Sequence, residues 1–280
     1  MSVRPIQSLD DPKMADFGIV SDPRLMRSRG LFLVEGYLAV TRLLASRFEV
    51  QALLLTNNVK EKLMATFKTI DEVVDIYVGS NEQLKTLTGF KFHRGCLGLG
   101  VRRPSTCMED FVFHTKGRPI VLLDAVSDPD NVGSIFRSAA AFGVAGIALS
   151  PSCADPLYRK AIRTSMATTL HLPYVVDDEW PRLVTLLRKR KIQIVAFTLD
   201  SSATELESFV GTGVVKSHAL VFGNEGLGIS DSVLAECDIR VRIETERFVD
   251  SLNVATTAAI ALQRFRATRA APPSISCSAS

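Results

Sequence analysis

Residues 120–126, IVLLDAV, limit the possible folds more than any other stretch of the chain. Apolar side chains fill all but one of these positions, so a wet face cannot alternate with a dry one. A strand of that kind is covered on both faces, as in parallel sheets flanked by helices. The pattern downstream agrees. Helical periodicity runs over 132–142, 156–168, 179–191, 230–236 and 253–269, and short apolar runs fall at 146–149, 192–198, 219–222 and 239–243. Strands alternating with helices predict an α/β domain built on a parallel sheet across 119–269.

Upstream, apolar runs at 31–35, 50–55, 73–78 and 97–101 alternate with helical patterns over 36–46, 58–69 and 81–87. In the first of these helices Leu38, Leu43 and Leu44 are expected to face inward. This predicts a smaller α/β unit over 26–103, preceded by an extension over 1–25. Residues 104–118 carry Pro, Ser, Thr and Gly without a period and are expected to be the linker. Residues 270–280, AAPPSISCSAS, have the composition of a disordered tail.

Composition narrows the class. With 46% apolar and 22% charged residues in 280, a mainly disordered, collagenous or coiled-coil chain is excluded. No apolar stretch approaches the roughly 18 residues of a membrane span. The start, MSVRPIQSLDDPK, has no apolar core of a secretory signal, so a cytoplasmic location is expected. Five scattered cysteines without a C-x-x-C pair fit free thiols in a reducing compartment. His93, His114, His171 and His218 are isolated, and no metal is expected. The charge is uneven: 17 basic against 13 acidic residues up to Arg118, and 16 against 17 beyond it. Arginines outnumber lysines 22 to 11. That excess leans toward a phosphate-bearing partner, although a GC-rich genome gives the same bias.

Three segments can carry chemistry. In 124–143, DAVSDPDNVGSIFRSAAAFG, a strand runs into an acidic, Pro-containing turn with Asn131 at the expected helix N-cap. On that helix Ser134, Arg137, Ser138 and Ala141 form a small polar stripe, apart from Ile135, Phe136, Ala139 and Ala140. An arginine there stands where open α/β sheets bind ligands; a solvated surface arginine is the plain alternative. In 219–230, ALVFGNEGLGIS, strand, glycine-rich loop and helix follow one another. Neither G-x-x-x-x-G-K-[ST] nor G-x-G-x-x-G is present, and Glu225 would repel a polyphosphate. The loop is either a tight turn or a cradle for a flat or cationic ligand. In 241–262, VRIETERFVDSLNVATTAAIAL, an irregular loop leads to a helix that Ser251 or Asn253 can cap.

Taken in order, DPDNVGSIFRSAAAFG, VFGNEGLG and IETERFVDSLNVATTAAIAL resemble the three motifs of the SpoU/TrmH family, RNA ribose 2′-O-methyltransferases of the SPOUT superfamily. RGLFLVEGYLAVTRLL (29–44) and HRGCLGLGV (93–101) resemble that family's amino-terminal substrate-binding domain. The resemblance implies a C-terminal trefoil knot in the catalytic domain, a homodimer, and S-adenosylmethionine bound in the knot. It implies catalytic positions at Arg137, Asn131, Glu225, Ser251 and Asn253. Cofactor contacts would fall at Thr198, Leu199, Gly223, Asn224, Glu225, Gly226, Gly228, Ile243, Leu252 and Asn253. A sulfonium cofactor without phosphate suits a glycine loop that has a glutamate and no lysine.

The two-domain layout is similar to members acting on ribosomal RNA more than to the shorter tRNA-specific ones. Arg24, Arg27, Arg29, Lys91, Arg94, Arg102 and Arg103 are then the expected RNA contacts, with ordinary surface charge as the alternative for each. A tRNA methyltransferase, or a non-catalytic RNA-binding or ribosome-assembly protein of the same fold, stays open. The second is raised by two departures: Glu244 and Arg247 stand where the third motif usually has Pro and Gly. Ala167, where Gly is common, is a smaller change.

Overall fold

Apolar runs in the first third of the chain pair into a five-stranded sheet. Its strands are β1 (Val3–Pro5), β2 (Leu31–Glu35), β3 (Val50–Leu55), β4 (Asp75–Val78) and β5 (Cys96–Val101), in the order β1-β4-β3-β5-β2. β1, β4 and β3 are parallel, and β5 is antiparallel to β3 and β2. Between them lie α1 (Ala15–Gly18), α2 (Pro23–Ser28), α3 (Tyr37–Leu44), α4 (Asn57–Thr66) and α5 (Asn81–Thr88). The computed structural model describes residues 3–9, 11, 14–68, 74–89, 95–103, 111, 118–176, 180–211, 218–246 and 248–266.

The described residues between 3 and 25 join this unit rather than standing outside it. β1 pairs with β4, and Met14 and Phe17 are buried in one cluster with Leu31, Leu54 and Leu99. A three-residue strand ending in Pro is too short to display alternation, so the sequence pattern hides it. In α3 the buried residues are Val40 and Leu43, while Leu38 is 46% exposed. Leu38 lies two residues, about 200° around the axis, from Val40 and so cannot share its face.

The second sheet holds seven strands, all parallel. They are β6 (Ile120–Leu123), β7 (Gly146–Leu149), β8 (Tyr174–Val176), β9 (Gln193–Phe197), β10 (Thr204–Glu205), β11 (His218–Phe222) and β12 (Ile239–Arg242), in the order β10-β12-β9-β11-β6-β7-β8. Helices α6 (Pro129–Phe142), α7 (Arg159–Thr164), α8 (Trp180–Lys189), α9 (Leu206–Gly211), α10 (Asp231–Leu234) and α11 (Val254–Arg264) complete the unit. Val121 and Leu123 pack with Ile135 of α6 and Ala258 of α11; Ile120 and Leu122 pack with Leu183 and Leu187 of α8. Both faces of β6 are dry, which explains the unbroken apolar run.

Some bounds differ from expectation for local reasons. The strand expected over 120–126 stops at Leu123, because Asp124 turns to bond Ser230 and Ala125 takes a left-handed φ of 56°. The helix expected over 156–168 is α7 followed by a 3-10 turn at Thr168–Leu170, interrupted where Met166 and Ala167 are left-handed. β8, β10 and α9 have no counterpart in the sequence reading. Phe111, inside the expected linker, is buried with Ile120 and Leu183. Residues 270–280 lie outside the described residues.

The two units share a buried cluster in which Leu157, Ile162, Ala167 and Leu170 meet Phe32, Val34, Val40 and Leu43. Arg102 clasps the junction. Its guanidinium donates to both Asp155 oxygens at 3.3 and 2.5 Å and, through Nε, to the Leu31 carbonyl at 3.0 Å. Arg42 donates to the Met166 carbonyl across the same seam.

Candidate active site

The larger sheet changes direction at β6 and β11: the chain builds outward through β7 and β8, then crosses to the other side. Open parallel sheets take ligands at such a point, beyond the carboxyl ends of the strands. Each of the three motif segments leaves a strand at this end. Asp124 follows β6, Gly223 follows β11 and Ile243 follows β12.

In the first motif the N-cap of α6 is Asp128, which accepts from the Asp130 N–H at 2.9 Å, with Pro129 opening the helix. The expected cap at Asn131 is thus corrected: a Pro at the first helical position with Asp before it is the stronger start. Asn131 instead lies buried in the first turn. Its Nδ2 donates to Glu225 Oε1 at 2.6 Å, and its Oδ1 accepts from Asn253 Nδ2 at 3.0 Å. Asn253, not Ser251, caps α11, with Oδ1 accepting from the Ala255 and Thr256 N–H groups at 2.8 and 3.3 Å. The amide orientations are forced. Backbone N–H groups only donate, so the Asn253 oxygen faces α11 and its nitrogen faces Asn131. The Asn131 nitrogen is then left facing the carboxylate. One residue from each motif meets in a single hydrogen-bond chain.

The glycine loop closes on itself. A Cβ on Gly223 would lie 2.3–2.4 Å from the backbone of Gly228 and Ile229, so no larger residue fits there. Asn224 and Gly228 exchange backbone hydrogen bonds at 2.9 Å. The Asn224 side chain turns inward: Nδ2 donates to the Ala125 carbonyl at 2.8 Å, and Oδ1 accepts from the Gly226 and Leu227 N–H groups. The Asn224 side chain is thereby engaged in closing the loop. Glu225, Gly226 and Gly228 stay exposed on the loop. Asp124, buried, accepts from the Ser230 N–H and Oγ at 2.8 and 2.7 Å and pins the loop's far end. The sequence reading missed both Asp124 and Ser230. An aspartate inside an apolar run was the available signal, because a buried carboxylate demands donors.

The remaining positions divide. Thr198, Gly223 and Ile243 stand at the ends of neighbouring strands β9, β11 and β12; Leu252 immediately precedes the Asn253 cap. Ser251 is exposed and makes no hydrogen bond with the described residues. Arg137 is exposed on α6 and pairs with none of the described residues. Six residues separate it from Asn131, about 240° around the axis, so the two do not converge. Glu244 is exposed, and Arg247 lies outside the described residues. Ala167 is buried with φ 62°, a backbone that explains why glycine suits the position.

Of the expected RNA contacts, Arg24, Arg27 and Arg103 are exposed. Arg29 pairs with Asp16 at 2.5 Å. Arg102 is bonded to Asp155 and Leu31. Lys91 and Arg94 lie outside the described residues. Among the described residues no group of three or more His, Cys, Asp or Glu is placed to hold a metal ion. No described helix is long and apolar enough to cross a membrane.

A parallel α/β sheet whose switch point carries a carboxylate, two amides and a closed glycine turn defines a protein that takes a cationic or flat ligand rather than a polyphosphate. Residues 118–263 match the model of the SpoU rRNA Methylase family. An uncharacterized tRNA/rRNA methyltransferase of Mycobacterium tuberculosis is 35% identical over 269 residues, 93% of this chain and 91% of that relative. The 23S rRNA (guanosine(2553)-2′-O)-methyltransferase RlmP of Bacillus subtilis is 32% identical over 149 residues, 53% of this chain and 58% of that relative. The crystal structure of an AdoMet-bound rRNA methyltransferase from Sinorhizobium meliloti shares the fold, with a TM-score of 0.78 at 24% identity over 94% of this chain and 97% of that one. The chain belongs to the SpoU rRNA methylase family and is an RNA methyltransferase that uses S-adenosylmethionine.

Proposed function

We propose that the chain methylates the 2′-hydroxyl of a ribose in ribosomal RNA, at the crevice beyond β6 and β11. The observation that carries this reading is the hydrogen-bond chain from Glu225 through Asn131 to Asn253, which ties the three motifs into one site. When bound, S-adenosylmethionine supplies a methyl group activated on a sulfonium. The groups present suit it: a carboxylate, two amides and a glycine turn, with no lysine in the loop. Backbone at Gly223, Ile243 and Leu252 would hold it, with Thr198 and Leu199 on the adenine side.

Asn131 and Asn253 keep the Glu225 carboxylate in one orientation. Arg137 is read as a donor rather than a base, because a guanidinium offers five N–H donors and no acceptor. Its exposure, with no partner among the described residues, supports a role in holding an RNA phosphate and polarising the 2′-oxygen. Alignment of this kind supplies up to about 7–11 kcal/mol of a barrier. Ribosomal RNA is preferred because the Bacillus subtilis relative is named for that substrate and because a basic amino-terminal unit is present.

A homodimer with a knotted catalytic unit in the cytoplasm completes the reading. The homodimer is supported by Leu199, Leu227 and Phe248, which follow β9, β11 and β12 and are 72%, 91% and 86% exposed. Large apolar side chains left bare at one end of a sheet mark a surface that another molecule covers.

Ribose-methylation mapping of RNA from cells with and without the chain tests the substrate. One methyl group missing from ribosomal RNA is expected; a missing tRNA methyl group would overturn the preference. For the site, Arg137→Lys is expected to slow methyl transfer by at least about tenfold with cofactor affinity unchanged, since lysine keeps the charge and loses the fork. Transfer at the wild-type rate would remove the positioning role.

A further inference from the structure

A cavity of about 500 Å³ opens between the two units, away from the hydrogen-bond chain just described. Among the described residues four arginines line it, Arg27, Arg47, Arg102 and Arg103, with Asp155 as the carboxylate. Arg102 already neutralises Asp155. Arg27, Arg47 and Arg103 form no ion pair among the described residues. Arg47 is held rather than loose: its guanidinium carbon sits 5.3 Å from the Phe48 ring centroid and 5.4 Å from that of Tyr174. Burial presses the Arg47 pKa below its ordinary value, opposed by Tyr174 and reinforced by the nearby Arg103 charge. A positioned guanidinium with a like charge beside it, and no ion pair among the described residues, gains from a bound anion.

Hydrogen bonds link the cavity to the glycine loop. Ser150, which lines the cavity after β7, accepts through Oγ from the Ala125 N–H at 2.8 Å; the Ala125 carbonyl in turn accepts from Asn224 of the glycine loop. β7 and β8 lie one and two strands from β6, about 5–10 Å across the sheet. A strand of RNA with one phosphate in the cavity therefore reaches the crevice within a few nucleotides. We propose that this interdomain cavity is a phosphodiester-binding subsite for the substrate RNA, in which Arg47 and Arg103 grip one backbone phosphate. The assignment rests on the chain acting on RNA, and it adds Arg47, which charge counting along the sequence does not single out.

The test measures binding of a short single-stranded oligoribonucleotide of mixed sequence, by fluorescence anisotropy over a range of potassium chloride. The proteins are the full chain, Arg103→Gln, and the double variant Arg47→Gln/Arg103→Gln. Titration calorimetry with S-adenosylmethionine checks that each is folded, since neither arginine belongs to the cofactor site. Arg103 is exposed, so its variant keeps the test valid if loss of Arg47 harms folding. The expected result is affinity about tenfold weaker for Arg103→Gln and weaker still for the double variant. The plot of log affinity against log salt should flatten by about 0.7 for each phosphate that the variant no longer neutralises. Unchanged affinity and slope in a folded Arg103→Gln would overturn the subsite and leave the methyltransferase reading standing. Displacement of the oligonucleotide by millimolar adenosine monophosphate would also overturn it, in favour of a free nucleotide. A wild-type chain that binds S-adenosylmethionine but no RNA would overturn both.

Discussion

Asn131 has both ends of its amide engaged, and the direction of those bonds is set three groups away, at the α11 cap. Replacing it by aspartate removes the donor and sets a second carboxylate against Glu225 across a 2.6 Å contact. Two carboxylates so close cannot both stay charged cheaply. Asn131→Asp is therefore expected to slow methyl transfer and to move its pH optimum downward, because a proton shared by the pair restores the lost hydrogen bond. A pH–rate profile with an unshifted optimum would contradict the orienting role. The identity of these groups was legible in the sequence, but their connection was not. Asn131 and Asn253 are 122 residues apart, and only the strand order β12-β9-β11-β6 brings the three loops to one end of the sheet.

At the scale of elements, α6 and α7 approach until a Cβ on Gly133 would lie 2.6 Å from the Ala161 carbonyl and 3.0 Å from Thr164 Cβ. Helix propensity alone favours Ala over Gly by roughly 1 kcal/mol. Here the obstacle is backbone, which cannot rotate away, and overpacking of that kind costs about 1–3 kcal/mol. Gly133→Ala should therefore be destabilising, read as a lower midpoint in urea; a stabilised variant would show that α7 moves freely. The same contact is reinforced by Thr164 Oγ1 donating to Asp130 at 2.7 Å and by Lys160 at 3.0 Å. Long, strongly patterned elements such as β6 and α6 are readable because burial repeats along them. β1, β8 and β10 are two or three residues long and owe their existence to a neighbouring strand, which no local pattern records.

For the whole molecule, the seam between the units contributes to stability. Arg102→Lys keeps a cation beside Asp155 but loses the fork and the Nε bond to Leu31. A loss of about 1.5–3 kcal/mol in denaturant unfolding is expected, the range for hydrogen bonds to charged groups. His171 adds a pH dependence. Burial first, then the Arg42 and Arg47 charges, hold its pKa below the ordinary value, against an opposing bond to the Arg42 backbone. The unfolded chain accepts the proton more readily, so His171 takes nothing from stability above about pH 6.5 and lowers it as pH falls through that value. Denaturation of wild type and His171→Gln should show the larger acid-side loss in the wild type. Equal losses would place the titration elsewhere.

Asn253 caps α11 and, with the same side chain, holds Asn131 against Glu225. Docking of α11 and orientation of the Glu225 side chain are therefore one event. A substitution that frays the first turn of α11 would be felt at the glycine loop, although the two are joined through a single pair of amides.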